Sequence, residues 1–240
     1  MTGLRLTRWV FTIVCLGLGL SGPARADEPA ALVQVTYAEL ANRASGRVTF
    51  ETVPQRPEPG LAFDQAMRLG ALWLGEHFGG QTLVDRDGFD AVTGPPAAPL
   101  ALRAGQPGAN LSVAFHRGFG SNALFALGPK GFPDRGARGE GAVAVLFDSD
   151  QAAIGLRIHT DYPDPLGQRA AVRGHADVIL YSRNGKVIAR HRTRLLLGIT
   201  DIALRRVGGQ SDIAGILIVN DDPGGIAIDD ILYQIEAMLG

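Results

Sequence analysis

From Leu100 onward, short apolar stretches recur about every ten residues, and turns rich in Gly, Pro or Asn separate them. Within each stretch the side chains alternate between apolar and polar, as in a strand with one face in a core. No helical periodicity of ten or more residues follows Leu74, although parallel α/β folds need such helices between their strands. The sequence therefore predicts an all-β fold of two packed antiparallel sheets.

Two segments near the C-terminus are predicted to be hairpins. Strands over 177–183 and 186–190 flank Asn184-Gly185, which is typical of a type I′ turn with positive φ at both central residues. The stretch 213–233 reads as a buried strand, an Asp-Asp-Pro-Gly-Gly turn and a second strand. We expect it to be the closing hairpin of a sandwich whose first strand is 47–52.

The segment before this first strand contains a helix start signal. Thr36 and Glu39 match a capping box, which predicts a short helix ending at about Ala44. Further along the chain, a strand is possible over residues 61–64, whereas the apolar residues over 65–74 are spaced partly as in a helix.

The N-terminus has the three parts of an export signal. Arg5 and Arg8 precede a twelve-residue apolar run, and Ala24-Arg-Ala26 is a small-x-small cleavage site. We expect residues 1–26 to be removed, 27–45 to form a linker with the short helix, and 46–240 to form the sandwich. The alternative is a membrane anchor that stays in place. The prediction is a periplasmic or secreted bacterial protein without a stable membrane anchor.

Composition excludes several classes of function. Cys15, the only cysteine, lies in the predicted signal, so a cleaved chain has no disulfide, thiolate nucleophile or cysteine metal ligand. Three of the 23 basic residues and none of the 24 acidic ones precede residue 27, which leaves 20 basic against 24 acidic residues. Such a body lacks the basic surface that nucleic-acid binding requires.

No catalytic motif stands out. The five histidines are not spaced for zinc, no Gly-x-Ser-x-Gly elbow is present, and no glycine-rich segment has the context of a phosphate loop. Carboxylates such as Glu76, Asp148 and Asp161 would serve a polysaccharide-cleaving enzyme only if two of them flanked one cleft.

Adjacent acids mark the last predicted strand and the turn before it. Asp221-Asp222 and Asp229-Asp230 repel one another unless they are solvated or bound to a cation. Calcium accepts such mixed oxygen ligands, although the pattern does not match an EF-hand. A solvated acidic turn is the alternative.

Four segments together resemble a known group: Val48–Glu51, Asn122–Leu124 with the following 143–147 strand, Val178–Ile188 and Gly225–Ile231. Their order is similar to jelly-roll β-sandwich domains of carbohydrate-binding modules and of exported bacterial proteins with a Pro-Glu-Pro sorting tail. The end of this sequence, 238–240, lacks the apolar segment and basic end of that tail, so we do not expect surface sorting by that route.

The resemblance implies an antiparallel jelly-roll β-sandwich with a structural calcium, whose matching ligand positions here are Glu51, Asp229 and Asp230. It also implies a glycan ligand stacked on exposed aromatic rings, and Trp73, Tyr162 and Tyr181 are the candidates. The resulting hypothesis is an exported, non-catalytic carbohydrate-binding domain. The alternatives are a glycoside- or polysaccharide-cleaving enzyme on the same fold, or a structural or adhesive surface protein without a small ligand.

Overall fold

The alternating segments form two antiparallel sheets that pack face to face. In this computed structural model, which describes residues 32–160 and 173–235, the larger sheet has eight strands and the smaller has six. In spatial order, the eight-stranded sheet comprises β1 (Leu32–Gln34), β16 (Ile199–Arg206), β13 (Ala153–His159), β18 (Ala227–Ile235), β11 (Ser121–Ala126), β10 (Leu111–His116) and β3 (Leu61–Phe63), with β2 (Ala44–Val48) paired to β18.

The six-stranded sheet faces it and is built from hairpins and a central strand. Its spatial order is β15 (Val187–Arg194), β14 (His175–Tyr181), β17 (Ile213–Asn220), β12 (Val143–Gln151), β5 (Leu72–Gly75) and β4 (Met67–Leu69). Two small sheets lie outside it: β6 (His77–Phe78) with β9 (Leu102–Arg103), and β7 (Thr82–Arg86) with β8 (Phe89–Thr93). The fold class predicted from the sequence, an all-β sandwich with one short helix, is confirmed.

The main core lies between the two sheets and comes from alternate residues of their strands. On β13, for example, Ile154, Leu156 and Ile158 all face this core. Other members that are fully buried are Leu111, Val113, Leu124, Val145, Phe147, Val178, Leu180, Ile216 and Ile228. Burial of this many apolar side chains is the main force that holds the two sheets together.

The outer face of each sheet is partly covered by local segments. The helix α1 (Tyr37–Ala41) places Tyr37 and Leu40 against small side chains of the eight-stranded sheet. The segment 76–105 lies over the six-stranded sheet, where Phe78 and Leu100 pack on Ala144 and its neighbours. Both sheets therefore bury apolar residues on two faces, which explains the many strands without strict alternation.

The predicted helix start is confirmed. Thr36 precedes the helix in extended conformation, and its hydroxyl accepts a hydrogen bond from the Glu39 N–H at 3.2 Å. The helix ends at Ala41, earlier than the predicted Ala44, because Ala44 already begins β2 and pairs with β18.

The hairpin around Asn184-Gly185 is confirmed, but its predicted turn type is wrong. Gly185 has φ of 75°, whereas Asn184 is not among the residues with positive φ. A type I turn followed by a left-handed glycine and a bulge accounts for this geometry, and the strand register shifts between Leu180 and Tyr181.

The predicted closing hairpin is wrong. Both of its strands exist, as β17 and β18, but β17 is central in the six-stranded sheet and β18 is central in the eight-stranded sheet. The turn at 221–225 therefore crosses from one sheet to the other. A strand-turn-strand pattern does not by itself determine whether the two strands pair.

Two other boundaries differ from the sequence prediction. The first long strand ends at Val48 and does not reach residue 52, because Phe50 takes φ of 58° and turns its side chain into the core. The partly helical spacing over 65–74 is in fact the hairpin of β4 and β5, with Gly70 at φ of 58°.

The predicted signal peptide lies outside the described residues. Within the part of the chain that the structure describes, no helix has the length and apolar character needed to cross a membrane.

Candidate functional site

The outer face of the eight-stranded sheet carries a polar cluster at the ends of its central strands. His116 is the last residue of β10, and His159 is the last residue of β13. Because side chains alternate along a strand, both point away from the core to which Val113 and Ile158 belong. Their rings meet, with His116 Nε2 and His159 Nδ1 separated by 2.9 Å.

A part-buried ion pair between Glu58 and Arg138 extends the network from His116. His116 Nδ1 lies 3.1 Å from Glu58 Oε1, and the other carboxylate oxygen of Glu58 pairs with the guanidinium of Arg138. Arg138 is almost fully buried and lies over the ring of Phe125, 4.9 Å from its centroid. Four side chains that are far apart in sequence thus form one connected polar network.

The network determines the tautomer of His116. An ionised Glu58 can only accept, so His116 Nδ1 carries the proton that it donates. Burial lowers the pKa of His116 to about 4, so the ring is neutral at pH 7 and its Nε2 accepts a hydrogen bond. His159 Nδ1 is then the donor to His116.

Aromatic and glycine contacts enclose the two imidazoles. Phe119 approaches both rings edge-on, with centroid distances of 5.8 Å to His116 and 5.6 Å to His159. The ring of His159 lies directly against Gly118, where a Cβ would collide with it. His116 and His159 are 2% and 5% exposed. This burial favours a structural role that ties the segments around Glu58, Gly118 and Arg138 to the sheet.

The predicted ligand positions Glu51 and Asp229 approach each other at the start of β11. Glu51 Oε1 accepts from the N–H of Asn122 at 2.7 Å, and Asp229 Oδ2 accepts from the hydroxyl of Ser121 at 2.8 Å. Burial, together with the weaker effect of the charges on Asp230 and Glu51, raises the pKa of Asp229 to about 7.

Asp230 faces a different set of groups. Its Oδ1 accepts from Arg47 at 2.6 Å, and its Oδ2 accepts from Arg157 at 3.1 Å. Its backbone carbonyl accepts from the hydroxyl of Tyr37 at 2.7 Å. A φ of 56° at Asp230 produces this divergence from Asp229, because it interrupts the alternation of β18. The two arginines compensate its charge.

Among residues 32–160 and 173–235, no group of three or more His, Cys, Asp or Glu side chains is arranged to hold a metal ion. Glu51, Asp229 and the hydroxyl of Ser121 supply only part of the six to eight oxygens that calcium prefers. Calcium binding stays a prediction: Glu51 and Asp229 accept hydrogen bonds from the adjacent residues Asn122 and Ser121, whereas Asp230 binds the two arginines.

The three aromatic candidates for glycan stacking have different surroundings. Trp73 lies half-buried on the outer face of the six-stranded sheet, where the guanidinium of Arg68 is 5.3 Å from the ring centroid. Arg68 also donates to Asp148 at 2.9 Å. Tyr181 is only 2% exposed, and its hydroxyl accepts from Gln81, so no ligand can stack on it. Tyr162 lies outside the described residues.

Of the carboxylates considered for catalysis, Asp148 and Glu76 lie in the described residues and are far apart. Asp148 donates its N–H to the carbonyl of Ala71, immediately before β5, whereas Glu76 follows β5 at its other end and is buried. About five residues of extended chain separate these positions by about 16 Å, which exceeds the spacing of glycosidase carboxylate pairs. Asp161 lies outside the described residues.

Sequence reasoning missed the contact between the histidines because their spacing along the chain is 43 residues. One signal was present: each histidine ends an alternating strand on its polar face. It also missed Asp90, a buried carboxyl on β8 whose pKa rises to about 7 through burial and the nearby charge of Glu76.

Comparisons with known proteins give little further information. No protein-family profile matches the chain, and no curated protein matches its sequence. One solved structure to which it is similar is an arabinose-bound α-L-arabinofuranosidase, at 15% identity and a TM-score of 0.29. The match covers 51% of this chain and 21% of that one. At this TM-score the likeness supports no conclusion about the fold or the activity of this protein.

Proposed function

We propose that the protein is an exported, non-catalytic β-sandwich domain that binds carbohydrate on the outer face of its six-stranded sheet. The supporting observation is the arrangement of Trp73, Arg68 and Asp148 on that face. The guanidinium of Arg68 lies over part of the indole, and the remaining exposed part of the ring offers an apolar surface to the C–H groups of a sugar ring. The guanidinium and carboxylate beside it offer a donor and an acceptor for neighbouring hydroxyl groups.

The position of Trp73 suits binding better than catalysis. Arg68 and Asp148 are both exposed, with side chains 56% and 39% accessible, so a ligand can reach them without a conformational change. The carboxylate that pairs with Arg68 beside the ring is Asp148, whereas Glu76 is buried after the far end of β5. Trp73, Arg68 and Asp148 are therefore better suited to bind a sugar than to cleave one.

The proposal is tested by isothermal titration against soluble polysaccharides, after affinity electrophoresis identifies a ligand. We expect Trp73→Ala to weaken binding at least about tenfold, because the stacking surface is lost, and Arg68→Ala and Asp148→Asn to weaken it severalfold. Phe89→Ala, which removes another half-buried aromatic ring, is the matched control and should bind normally. Equal affinity in Trp73→Ala and the wild type would reject this site.

We also propose that a structural calcium, if bound, uses Glu51 and Asp229 without Asp230. A cation between these carboxylates would favour the ionised form of Asp229, whose pKa is about 7 in its absence. Addition of calcium should then raise Tm, and a chelator should reverse the rise. Asp229→Asn should abolish the response and Asp148→Asn should keep it. A Tm that is independent of calcium and chelator rejects the site.

Export is the remaining part of the proposal. The N-terminus of protein recovered from a bacterial host, determined by mass spectrometry, should be Asp27. An intact N-terminus in the cell membrane would indicate the anchor instead.

A further inference from the structure

The connection between β15 and β16 exposes three large apolar side chains at one end of the sandwich. Leu196 is 59% exposed, Leu197 56% and Ile199 41%. Leu196 and Leu197 are the two most exposed large hydrophobic residues of the described chain, and Ile199 lies two positions further on. We call Leu196, Leu197 and Ile199 the apolar tip.

Hydrogen bonds hold the apolar tip in place. The N–H of Leu196 donates to the hydroxyl of Thr200 at 2.9 Å, and the hydroxyl of Thr160 donates to the carbonyl of Leu196. The N–H of Thr160 donates to the carbonyl of Gly198 at 3.2 Å, and Leu195 anchors the connection in the core. The exposed side chains therefore belong to an ordered backbone.

The middle of the apolar tip is open to solvent. A Cβ placed on Gly198, in the middle of the tip, would meet no atom within 4 Å. The space around this part of the connection is therefore open. An exposed group of aliphatic side chains can enter the boundary between lipid headgroups and acyl chains without rearrangement.

Arginines flank the tip. Arg190, Arg192 and Arg194 are exposed on one face of β15, which leads directly into the tip. Arg192 pairs with Asp177 and Asp221, whereas Arg190 and Arg194 form no ion pair with any described residue. Uncompensated positive charge beside apolar side chains is complementary to an anionic lipid surface.

The acid closest to the tip in sequence does not offset this charge. Asp201 follows the tip by two positions, and its carboxylate pairs with Arg157 at 3.1 Å. Arg190 and Arg194, which pair with no described carboxylate, are therefore free to face an external anion.

We propose that the apolar tip and the arginines of β15 dock the protein reversibly on a membrane surface that contains anionic lipid. The aliphatic side chains would enter the interface, and Arg190 and Arg194 would remain at the level of the headgroup phosphates. This attachment is independent of the carbohydrate site and needs no membrane-spanning segment.

Vesicle flotation tests the proposal with phosphatidylcholine vesicles and with mixed phosphatidylcholine–phosphatidylglycerol vesicles. All variants are purified after export in the same processed form. Wild-type protein should bind the mixed vesicles and only weakly the neutral ones, and added salt should weaken binding. The double variant Leu196→Ser/Leu197→Ser should lose roughly tenfold or more of the binding, because two apolar side chains no longer enter the interface.

Two further variants separate the contributions. Arg190→Gln/Arg194→Gln should reduce binding by about fivefold per charge and remove most of its salt dependence. Val84→Ser/Val207→Ser, which alters exposed apolar residues elsewhere, should bind as the wild type does. Thermal melts should show that all three variants are folded.

Three results would overturn the proposal: no wild-type binding to either vesicle, unchanged binding after the leucine replacements, or a wild-type dimer that the leucine replacements convert to monomer. The last result would assign the apolar tip to self-association.

Discussion

Burial shifts the pKa values of histidine and aspartate side chains in this protein in opposite directions. The pKa of His116 falls to about 4, because its cation cannot be solvated inside the sheet-face network. The pKa values of Asp90 and Asp229 rise to about 7 for the same reason, because their anions lose water. His116 therefore favours folding at higher pH, and the two aspartates favour it at lower pH.

Replacing Asp90 by asparagine should stabilise the protein above pH 7. The folded-state pKa of Asp90 is above its unfolded value, so the wild type loses stability as pH rises from about 4 to about 7. The neutral amide of Asp90→Asn has no such loss, and the gain should be on the order of 1–3 kcal/mol at pH 8 and small at pH 4. Urea denaturation at both pH values measures it. Asp87→Asn, at an exposed position of the same hairpin, is the matched control.

Replacing Glu58 by glutamine should destabilise the polar network. The carboxylate neutralises the buried guanidinium of Arg138 and accepts from His116, and an amide provides no negative charge. We expect a loss of about 2–4 kcal/mol in the free energy of unfolding. Denaturant unfolding compares Glu58→Gln with Glu39→Gln in the first turn of the helix. Equal stability of the two variants would contradict a structural role for this network.

The sequence offered candidate residues for the sites, but it did not show which side chains contact them. Glu51, Asp229 and Trp73 were selected through the resemblance to jelly-roll domains, and their roles as ligand positions stay predictions. The arginines that pair with Asp230 lie 73 and 183 residues away from it, and no local pattern indicates such contacts. Burial also removed Tyr181 from the surface through the segment 76–105, which packs on its sheet.

At the level of elements, existence was easier to predict than pairing. Alternation identified β12, β13 and β14 because each directs every second side chain into the core between the sheets. The sequence could not show that β17 and β18 lie in different sheets, because the strands with which each of them pairs come from distant segments. The sequence did not reveal the short β4–β5 hairpin, because the spacing of its apolar residues fits both a helix and a strand.

Two glycine replacements should separate backbone strain from steric collision. Gly185 and Gly198 both have positive φ, at 75° and 87°. A Cβ at Gly185 would lie 2.8 Å from the backbone oxygen of Ala97, whereas one at Gly198 would meet nothing. Gly198→Ala should cost about 1 kcal/mol from the backbone alone. Gly185→Ala should cost more, and thermal or urea unfolding measures the difference. Equal losses would mean that the hairpin moves away from Ala97 without cost.

The whole molecule presents two separate surfaces of potential function on one sandwich. The outer face of the six-stranded sheet carries Trp73 with its polar neighbours, and the end of the sandwich carries the apolar tip. The interior between the sheets is apolar, so both surfaces rest on a core that does not depend on either ligand. Variants at either surface should therefore change binding with little effect on folding.

Trp73 provides the most direct measurement of the central claim. The sequence contains two tryptophans, Trp9 in the predicted signal and Trp73, so the processed chain has Trp73 as its sole indole fluorophore. Titration with a polysaccharide identified by affinity electrophoresis should change the intensity and wavelength of its emission with the same affinity that calorimetry gives. Calorimetric binding of that polysaccharide with an unchanged Trp73 spectrum would contradict carbohydrate recognition at this face.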